Sequence, residues 1–536
     1  MQTPVPPRFE QLQHLLPITC AALVLGGLLV AAINLGKLPL WVDESIAALP
    51  ARSIHTHLLP WNPFDLDFMP WQLKYELWDP ATPLYRYSLA AFTAVVGFSE
   101  LNARIFSLLM GGLAALALAM LAREMFGRST AWVAAALLVT SPTFMLFARE
   151  ARHFTFLMFV ATTTLYLLYV ASQRPTIWAS ALWPVGVVAT LLTQTLGYAI
   201  LPIVALYVAL VGPRRVLDRR HWPIYLAAAS FYAAVMIVFW NTLPFFHAVD
   251  CGNRTVGCQP GHWFYLGVLN EFLAPMETGD VYRWWRTFSL AQPLAVLGLA
   301  GVVLRGAQVR ASRDSMALLL LWLLVPLVLL STREVKFARY LFIWAFPVCM
   351  LLVARGIVAF CSVPGLRRRR NLAAALLVIV VSMAPQLRRG EGLDSLRVKP
   401  RLALAGYVRE KLLAARDDNW ERIRYQAALV ERDVGPDDVV VSSFDDASLG
   451  YHTGRFIYGF LNSTRTDRFF MELLERTRAA GHRVWFFDTL PHWNYCLTPD
   501  AEPRSVDCAV KYAHFYETCR GAPDDPAEAC IRIPIR

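Results

Sequence analysis

The chain is poor in charge and lacks the short motifs that mark several enzyme classes. Only 17% of its 536 residues are charged, whereas soluble domains carry about a quarter. There is no phosphate loop of the G-x-x-x-x-G-K-[ST] type, so nothing indicates a site that uses ATP. There is no CxxC pair, and the cysteine spacings are wide, which argues against zinc. The apolar residues must therefore explain the fold.

Hydrophobic residues make up 56% of the chain, and runs long enough for a ~30 Å hydrocarbon core recur from residue 15 to residue 387. They predict a polytopic α-helical membrane protein. We expect eleven spans, at 15–35, 102–122, 131–147, 153–172, 177–193, 196–212, 223–240, 289–305, 315–331, 338–360 and 371–387.

The positions of the charges predict the topology. The net charge of +11 would suit a nucleic-acid partner, but the basic residues punctuate the spans instead, as the positive-inside rule expects. Fourteen arginines against three acids (Glu124, Asp218 and Asp314) lie in five connections, at 123–130, Arg174, 213–222, 305–314 and 361–370. We expect these connections to be cytoplasmic, and the other connections and the tail after residue 387 to be exported.

Residues 83–98 ("PLYRYSLAAFTAVVGF") complicate this topology. They would serve as a twelfth span, and that would reverse the side on which residues 36–82 lie. We favour a helix in the outer interface, because the run is short and carries Tyr85, Arg86 and Tyr87 on an apolar body.

The cysteines fit an exported location. Cys20, Cys349 and Cys361 lie in or at the end of spans, where a small buried side chain is expected. Six others fall in segments predicted to be exported, and an even number there suggests disulfides: Cys251, Cys258, Cys496, Cys508, Cys519 and Cys530. Cys251 and Cys258 suit one bridge, and the last four allow three connectivities.

The chain divides into a membrane domain, 1–387, and an exported tail, 388–536. The tail has a helical stretch near 401–432 and two buried strands, "DDVVVSS" (437–443) and "RVWFFDT" (483–489), which predict a small α/β domain. The first hydrophobic run is too long for a cleavable signal and should remain as an anchor.

The first exterior loop, 36–101, contains two adjacent acids directly after the first span, in "LWVDESIAAL". Asp43 and Glu44 lie near the membrane plane, where ionisable groups are costly and suggest function. A carboxylate there can accept a proton from a hydroxyl nucleophile. Other acids of this loop, including Asp65, Asp67 and Asp79, are read as solvated.

Cations follow in "FAREARHFTF" (147–156) and "STREVKFARYLF" (331–342). On a helix, Arg149, Arg152 and His153 would share one face. Arginine binds phosphate with paired hydrogen bonds, although lipid anchoring is the ordinary role of arginine at a span end. Acids and cations at one membrane surface suggest a lipid-linked phosphate substrate.

Four segments carry a family resemblance, in order over residues 40–356. They are "LWVDESIAAL", "DPATPLYRYSLAAF" followed by "SELNARIFSLLMG", "SPTFMLFAREARHFTFLMF" and "KFARYLFIWAFPVCMLLVARG". The chain resembles the glycosyltransferases of the GT-C membrane fold, in particular protein O-mannosyltransferases and lipid A aminoarabinose transferases (glycosyltransferase family 39). Asp79 stands where relatives often carry a histidine, and the tail resembles nothing that names the acceptor.

The resemblance implies transfer of a sugar from a polyprenyl-phosphate donor to a lipid, glycan or protein acceptor, with inversion. No cofactor or metal is implied, and the location is the exported face of a bacterial inner membrane. Asp43 takes the position of the catalytic carboxylate and Glu44 that of its neighbour. Phosphate would be bound by Arg149, Arg152, Lys336 and Arg339, in a pocket that also includes Lys74, Tyr85, Arg104, Glu150, His153 and Tyr340. The alternatives are a lipid-glycan flippase, for which internal repeats and mid-span charges are missing, and a membrane-anchored binding protein.

Overall fold

The structure is a computed structural model, and it is described over most of the membrane part and sections of the tail. The described residues are 14–37, 40, 42–58, 83–174, 176–217, 219–239, 264–273, 287–308, 310–331, 338–363, 366, 369–383, 387–388, 418–442, 446–455, 457–459, 476–477, 479–488 and 531–534. The six cysteines expected to form disulfides lie outside these ranges, so their pairing stays a prediction.

The described chain is mainly helical. The helices are α1 (Leu15–Ala32), α2 (Val42–His57), α3 (Pro83–Val96), α4 (Glu100–Phe126), α5 (Arg128–Thr140), α6 (Pro142–Ala148), α7 (His153–Gln173), α8 (Ile177–Thr193), α9 (Ile200–Val211, after a 3-10 turn at Thr195–Ala199), α10 (Pro213–Val216), α11 (Trp222–Phe239), α12 (Phe264–Leu273), α13 (Ala291–Gln308), α14 (Arg310–Ser331), α15 (Ala338–Phe360), α16 (Arg370–Met383), α17 (Asp418–Asp433) and α18 (Asp446–Thr453). A second 3-10 turn, Arg219–His221, precedes α11. The strands are β1 (Thr287–Phe288), β2 (Leu387–Arg388), β3 (Val439–Ser442), β4 (Ile457–Gly459), β5 (Val484–Asp488) and β6 (Ile531–Pro534).

Each of the eleven predicted spans coincides with one of these helices, or with two. Within the described ranges, five helices are long and apolar enough to cross a membrane, and they lie in α1, α4, α7, α14 and α15. A sixth crossing would be the pair α5 and α6, which are bent by 65° at Ser141. The total of eleven spans stays a prediction, because α8, α9, α13 and α16 are apolar but shorter.

The residues fall into two compact units. The helical unit comprises Met1–Leu35, Arg104–Trp240 and Gln259–Ala415, and the mixed unit comprises Gly36–Ala103, Asn241–Cys258 and Arg416–Arg536. Residues 36–101, which carry the acid pair, thus belong to the same unit as residues 416–536 of the tail. The predicted division at residue 387 stays a prediction.

The core of the helical unit is built around α15, whose span is 94% buried. Glycines permit the closest helix contact, between α13 and α15. A side chain at Gly298 would collide with the carbonyl of Leu352, and one at Gly356 with the carbonyl of Leu294. Small residues allow backbones to approach in this way where lipid supplies no hydrophobic force between helices.

One end of the helical unit gathers the basic connections. Arg174 pairs with Glu124 at 2.7 Å, and Arg215 pairs with Asp314 at 3.0 Å. Gln173 also donates to Asp314 at 2.8 Å. Four of the five connections expected to be cytoplasmic are therefore joined in pairs by these contacts, which supports the predicted grouping. The side of the membrane on which they lie stays a prediction.

The mixed unit contains a parallel four-stranded sheet with the order β4-β3-β5-β6. Its strands β3 and β5 coincide with the two strands predicted in the tail. Val430 of α17 and Leu449 of α18 pack on Val440 of β3 and form a small core with Trp485 of β5. Helix α18 also packs against α2, and α2 against α3.

Helix α3 occupies the run that complicates the topology. Its 14 residues span only about 21 Å at 1.5 Å per residue, less than the ~30 Å of a hydrocarbon core. It is not among the helices long and apolar enough to cross. Helix α16 has the same length, but it is among the shorter apolar helices, whereas α3 is not. Length and composition together support the interfacial interpretation of residues 83–98.

Candidate active site

The acid pair lies in the first turn of α2, which begins at Val42. Ser45 fixes this turn, because its hydroxyl donates to the carbonyl of Leu40 at 3.2 Å. Both acids therefore stand at the N-terminal end of α2, where the helix dipole is positive. Glu44 is only 1% exposed. For Asp43 the structure describes the backbone and not the side chain.

A buried arginine from α3 reaches the same helix. Arg86 is 2% exposed, and its Nη2 donates to the carbonyl of Ile46, two residues after Glu44, at 3.5 Å. Tyr85, predicted to line the pocket, is fully buried beside it on α3. Buried charges are stable only when compensated, so a buried carboxylate and a buried guanidinium near one helical turn are a functional signal. Sequence reasoning placed Arg86 at the lipid interface and missed this role.

The arginine motif does not form the expected helix. Residues 149–152 are a turn between α6, which ends at Ala148, and α7, which begins at His153. The prediction that Arg149, Arg152 and His153 share one helical face is therefore wrong. The backbone of Arg152 is extended, at φ −135° and ψ 162°, and this separates the two arginines from the helix that begins at His153.

Arg149 holds the end of the first span. Its Nη1 donates to the carbonyls of Ala31 and Ile33, both at 2.6 Å. The last carbonyls of a helix have no partner within the helix, and a guanidinium there also complements the negative end of the dipole. Arg149 thus fixes the direction in which the chain leaves α1.

Arg104 acts on the same stretch. It is 5% exposed, and its Nη1 donates to the carbonyl of Leu35 at 2.9 Å. Two arginines distant in sequence therefore hold residues 31–35, which lead directly to the acids of α2. Arg104 was predicted to line the pocket, and the contact it makes is with the backbone.

Arg152 and His153 lie at the start of α7. The guanidinium of Arg152 lies over the ring of Phe154, at 4.8 Å. The backbone carbonyl of Arg152 accepts a hydrogen bond from the hydroxyl of Ser107 of α4 at 3.3 Å. The backbone N–H of Arg152 donates to the carbonyl of Glu150 at 2.7 Å. His153 is 6% exposed. This turn is therefore held against α4.

The remaining predicted residues are described in part. Tyr340 is half-buried at the start of α15. Arg339 is in the same helix, but its side chain is not described. Lys74 and Lys336 lie outside the described residues. Among the residues that the structure describes, no group of three or more His, Cys, Asp or Glu side chains is placed to hold a metal ion.

The sequence and fold of the chain match known proteins. Residues 80–240 match the family described as dolichyl-phosphate-mannose-protein mannosyltransferase. Apo ArnT from Cupriavidus metallidurans has a similar structure, with a TM-score of 0.55 and 13% identity, over 82% of this chain and 84% of that one. The chain has the GT-C fold.

Other GT-C structures extend this result. ArnT from Cupriavidus metallidurans bound to undecaprenyl phosphate matches with a TM-score of 0.55 at 12% identity, over 96% of this chain and 89% of that one. The oligosaccharyltransferase AglB from Archaeoglobus fulgidus, in complex with an inhibitory peptide and a dolichol-phosphate, matches with a TM-score of 0.53 at 14% identity, over 82% and 64%. No curated protein matches the sequence. The predicted resemblance to GT-C glycosyltransferases is confirmed.

Proposed function

We propose that the protein is an integral-membrane glycosyltransferase that moves a sugar from a polyprenyl-phosphate donor to an acceptor hydroxyl. The observation that carries the proposal is the acid pair at the start of α2, beside the buried Arg86, in a chain with the GT-C fold. One structural relative holds undecaprenyl phosphate and another holds dolichol-phosphate, which supports a donor of this chemical class.

Asp43 is the general base in this proposal. It takes the proton of the acceptor hydroxyl, and the oxygen forms a bond to the anomeric carbon of the sugar. The bond from that carbon to the phosphate oxygen breaks on the opposite side, so the configuration is inverted. The products are the glycosylated acceptor and polyprenyl phosphate. Glu44, which is buried, orients the turn or a hydroxyl of the sugar.

Cations stabilise the charge that gathers on the leaving phosphate. We assign this role to Arg152, Lys336 and Arg339. We assign it to Arg149 as well, which also has a structural role through its hydrogen bonds to the carbonyls of Ala31 and Ile33. The site would face the exported side of a bacterial inner membrane. A lipid, a glycan or a protein would be the acceptor.

The test measures release of polyprenyl phosphate by purified protein reconstituted with a polyprenyl-phosphate sugar and candidate acceptors. Asp43→Asn keeps the shape and removes the base, so we expect transfer to fall by roughly 10²–10⁴-fold. Donor binding should survive, because the phosphate contacts are assigned to other residues. Glu44→Gln should be milder.

Glu431→Gln is the matched control, because it removes an exposed carboxylate from α17 of the same unit. It should transfer like the parent chain. Full activity of Asp43→Asn with an inactive Glu44→Gln would reverse the two roles. Full activity of both variants would show that the site is wrong.

A further inference from the structure

Among the residues of the tail that the structure describes, two buried polar side chains have no hydrogen-bond partner. Gln426 of α17 is 0% exposed, and neither its amide nitrogen nor its amide oxygen is paired. Ser442, the last residue of β3, is also 0% exposed, and its hydroxyl is unpaired. Leaving such a group unpaired destabilises the folded chain, and native proteins contain few of them. Two in one small domain call for an explanation.

The two side chains belong to the same layer. Side chains two residues apart on a strand point to the same face of the sheet, so Ser442 shares the face of Val440. Val440 packs with Val430 of α17 and Leu449 of α18. Ser442 therefore lies on the face that α17 and α18 cover, and Gln426 belongs to α17.

They also lie at the same level along the sheet. The chain reverses between Val434, just after α17, and Val439, where β3 begins. Gln426 precedes Val434 by eight residues, about 12 Å of helix. Ser442 follows Val439 by three residues, about 10 Å of strand. Both groups thus lie toward the carboxyl end of β3.

Parallel sheets bind ligands at the carboxyl ends of their strands. From β3 the chain passes to β4 on one side, and β5 lies on the other side of β3, so the strand order reverses there. Ligands of open α/β folds bind outside the carboxyl ends of the strands at such a switch point. Asp488 ends β5 one residue beyond Phe487, which is in register with Ser442.

We propose that this edge binds a neutral sugar unit. An amide and a hydroxyl each donate and accept, as sugar hydroxyls do. Asp446 begins α18 and Asp488 ends β5 at this edge. The two unpaired groups are themselves uncharged, so a neutral polyol is favoured over an anion.

The position of this site relates the bound sugar to the proposed transfer reaction. Helix α18 follows Ser442 and packs against α2, which carries Asp43. The bound unit is then part of a glycan acceptor, and this identification rests on the proposed function. Sugar binding itself does not rest on it.

The test uses the full-length chain in lipid nanodiscs with three probes, methyl α-D-mannoside, methyl α-D-glucoside and methyl β-L-arabinoside. Calorimetry should detect binding of at least one of them to the parent chain, and weaker binding of mannose 6-phosphate. Gln426→Met with Ser442→Ala should weaken binding by at least tenfold. Without sugar, the same variant should unfold at an unchanged or higher temperature, because unpaired buried groups have been removed.

Tyr425→Phe is the matched control, since Tyr425 neighbours Gln426 on α17 but is 57% exposed. It should bind like the parent chain. Asp43→Asn should also bind the sugar normally. Undiminished transfer by Asp43→Asn, with normal sugar binding, would refute the proposed function and leave this site standing. The inference is overturned if none of the three glycosides binds, or if the double variant binds like the parent because only water fills the site.

Discussion

At the scale of single residues, the main finding is that buried or half-buried arginines are held by backbone carbonyls. Arg86 contacts Ile46, Arg104 contacts Leu35, and Arg149 contacts both Ala31 and Ile33. The residue types predicted charge chemistry at this membrane surface. They gave no indication of the carbonyl partners, because every residue has a carbonyl and these partners lie far away in sequence.

The contacts of Arg149 predict a loss of stability as well as of turnover. Each hydrogen bond from a charged group is worth about 1.5–3 kcal/mol, so Arg149→Ala should lower the thermal unfolding midpoint of the purified chain measurably. It should also weaken donor binding. Arg149→Lys keeps the charge but loses the guanidinium fork, so it should recover donor binding better than stability.

Arg174→Ala is the matched control for Arg149. Its guanidinium is 61% exposed and pairs with Glu124, and exposed pairs contribute only about 0–1 kcal/mol. Its unfolding midpoint should stay close to that of the parent chain. An equal loss in both arginine variants would contradict the structural role of Arg149.

At the scale of elements, the positions of the helices follow from the apolar runs, because a chain in lipid must satisfy its own backbone groups. One predicted span is bent for a local reason. Residues 131–147 are mostly apolar, but Ser141 precedes Pro142 and adopts an extended conformation. The residue before a proline avoids the helical region. The Ser141–Pro142 dipeptide predicts such a break, but the apolar residues on both sides of it favoured one continuous span.

The turn between α17 and β3 depends on one carboxylate. Asp438 accepts from the N–H groups of Gly435 and Arg483 and from the indole of Trp485, and it pairs with the guanidinium of Arg483 at 3.3 Å. Burial opposes the charge of Asp438, but these partners outweigh it and lower the pKa of its carboxyl. A lowered pKa in the folded state stabilises the tail above the ordinary pKa of about 4, and the stabilisation is lost as pH falls through the folded value.

Asp438→Asn should therefore weaken the tail at neutral pH, by about 1–3 kcal/mol. Below the folded pKa of Asp438 the difference from the parent chain should narrow. Resistance of the tail to pepsin between pH 5 and pH 3, with neutral-pH stability from urea unfolding, measures both effects. Asp433→Asn is the control, because that carboxylate pairs with the exposed side chain of its sequence neighbour Arg432. A parallel pH dependence in parent and Asp438→Asn would refute the assignment.

At the scale of the whole molecule, the fold class and the order of the helices could be predicted, but the two compact units could not. Hydropathy is a local property, and it divided the chain at residue 387. The exterior loop and the tail share a unit through contacts distant in sequence, such as Phe98 with Tyr451 and Glu100 with His452. The sequence does not indicate which distant residue an aromatic or ionic side chain in a loop will contact.

The topology is the last prediction, and the structure determines which positions can test it. Ser53 and Ser442 are buried, so cysteines placed there would stay unlabelled on either side of the membrane. Thr56 on α2, Glu431 on α17 and Arg174 after α7 are exposed.

The arginine-rich connections should be cytoplasmic, and Arg174 belongs to them through its pair with Glu124. In intact cells, Thr56→Cys and Glu431→Cys should gain mass with an impermeant maleimide relative to the parent chain, whereas Arg174→Cys should gain mass only after permeabilisation. Labelling of position 56 only after permeabilisation would mean that residues 83–98 cross the membrane. The acids of α2 would then lie on the cytoplasmic side, and the proposed reaction would have to be placed there.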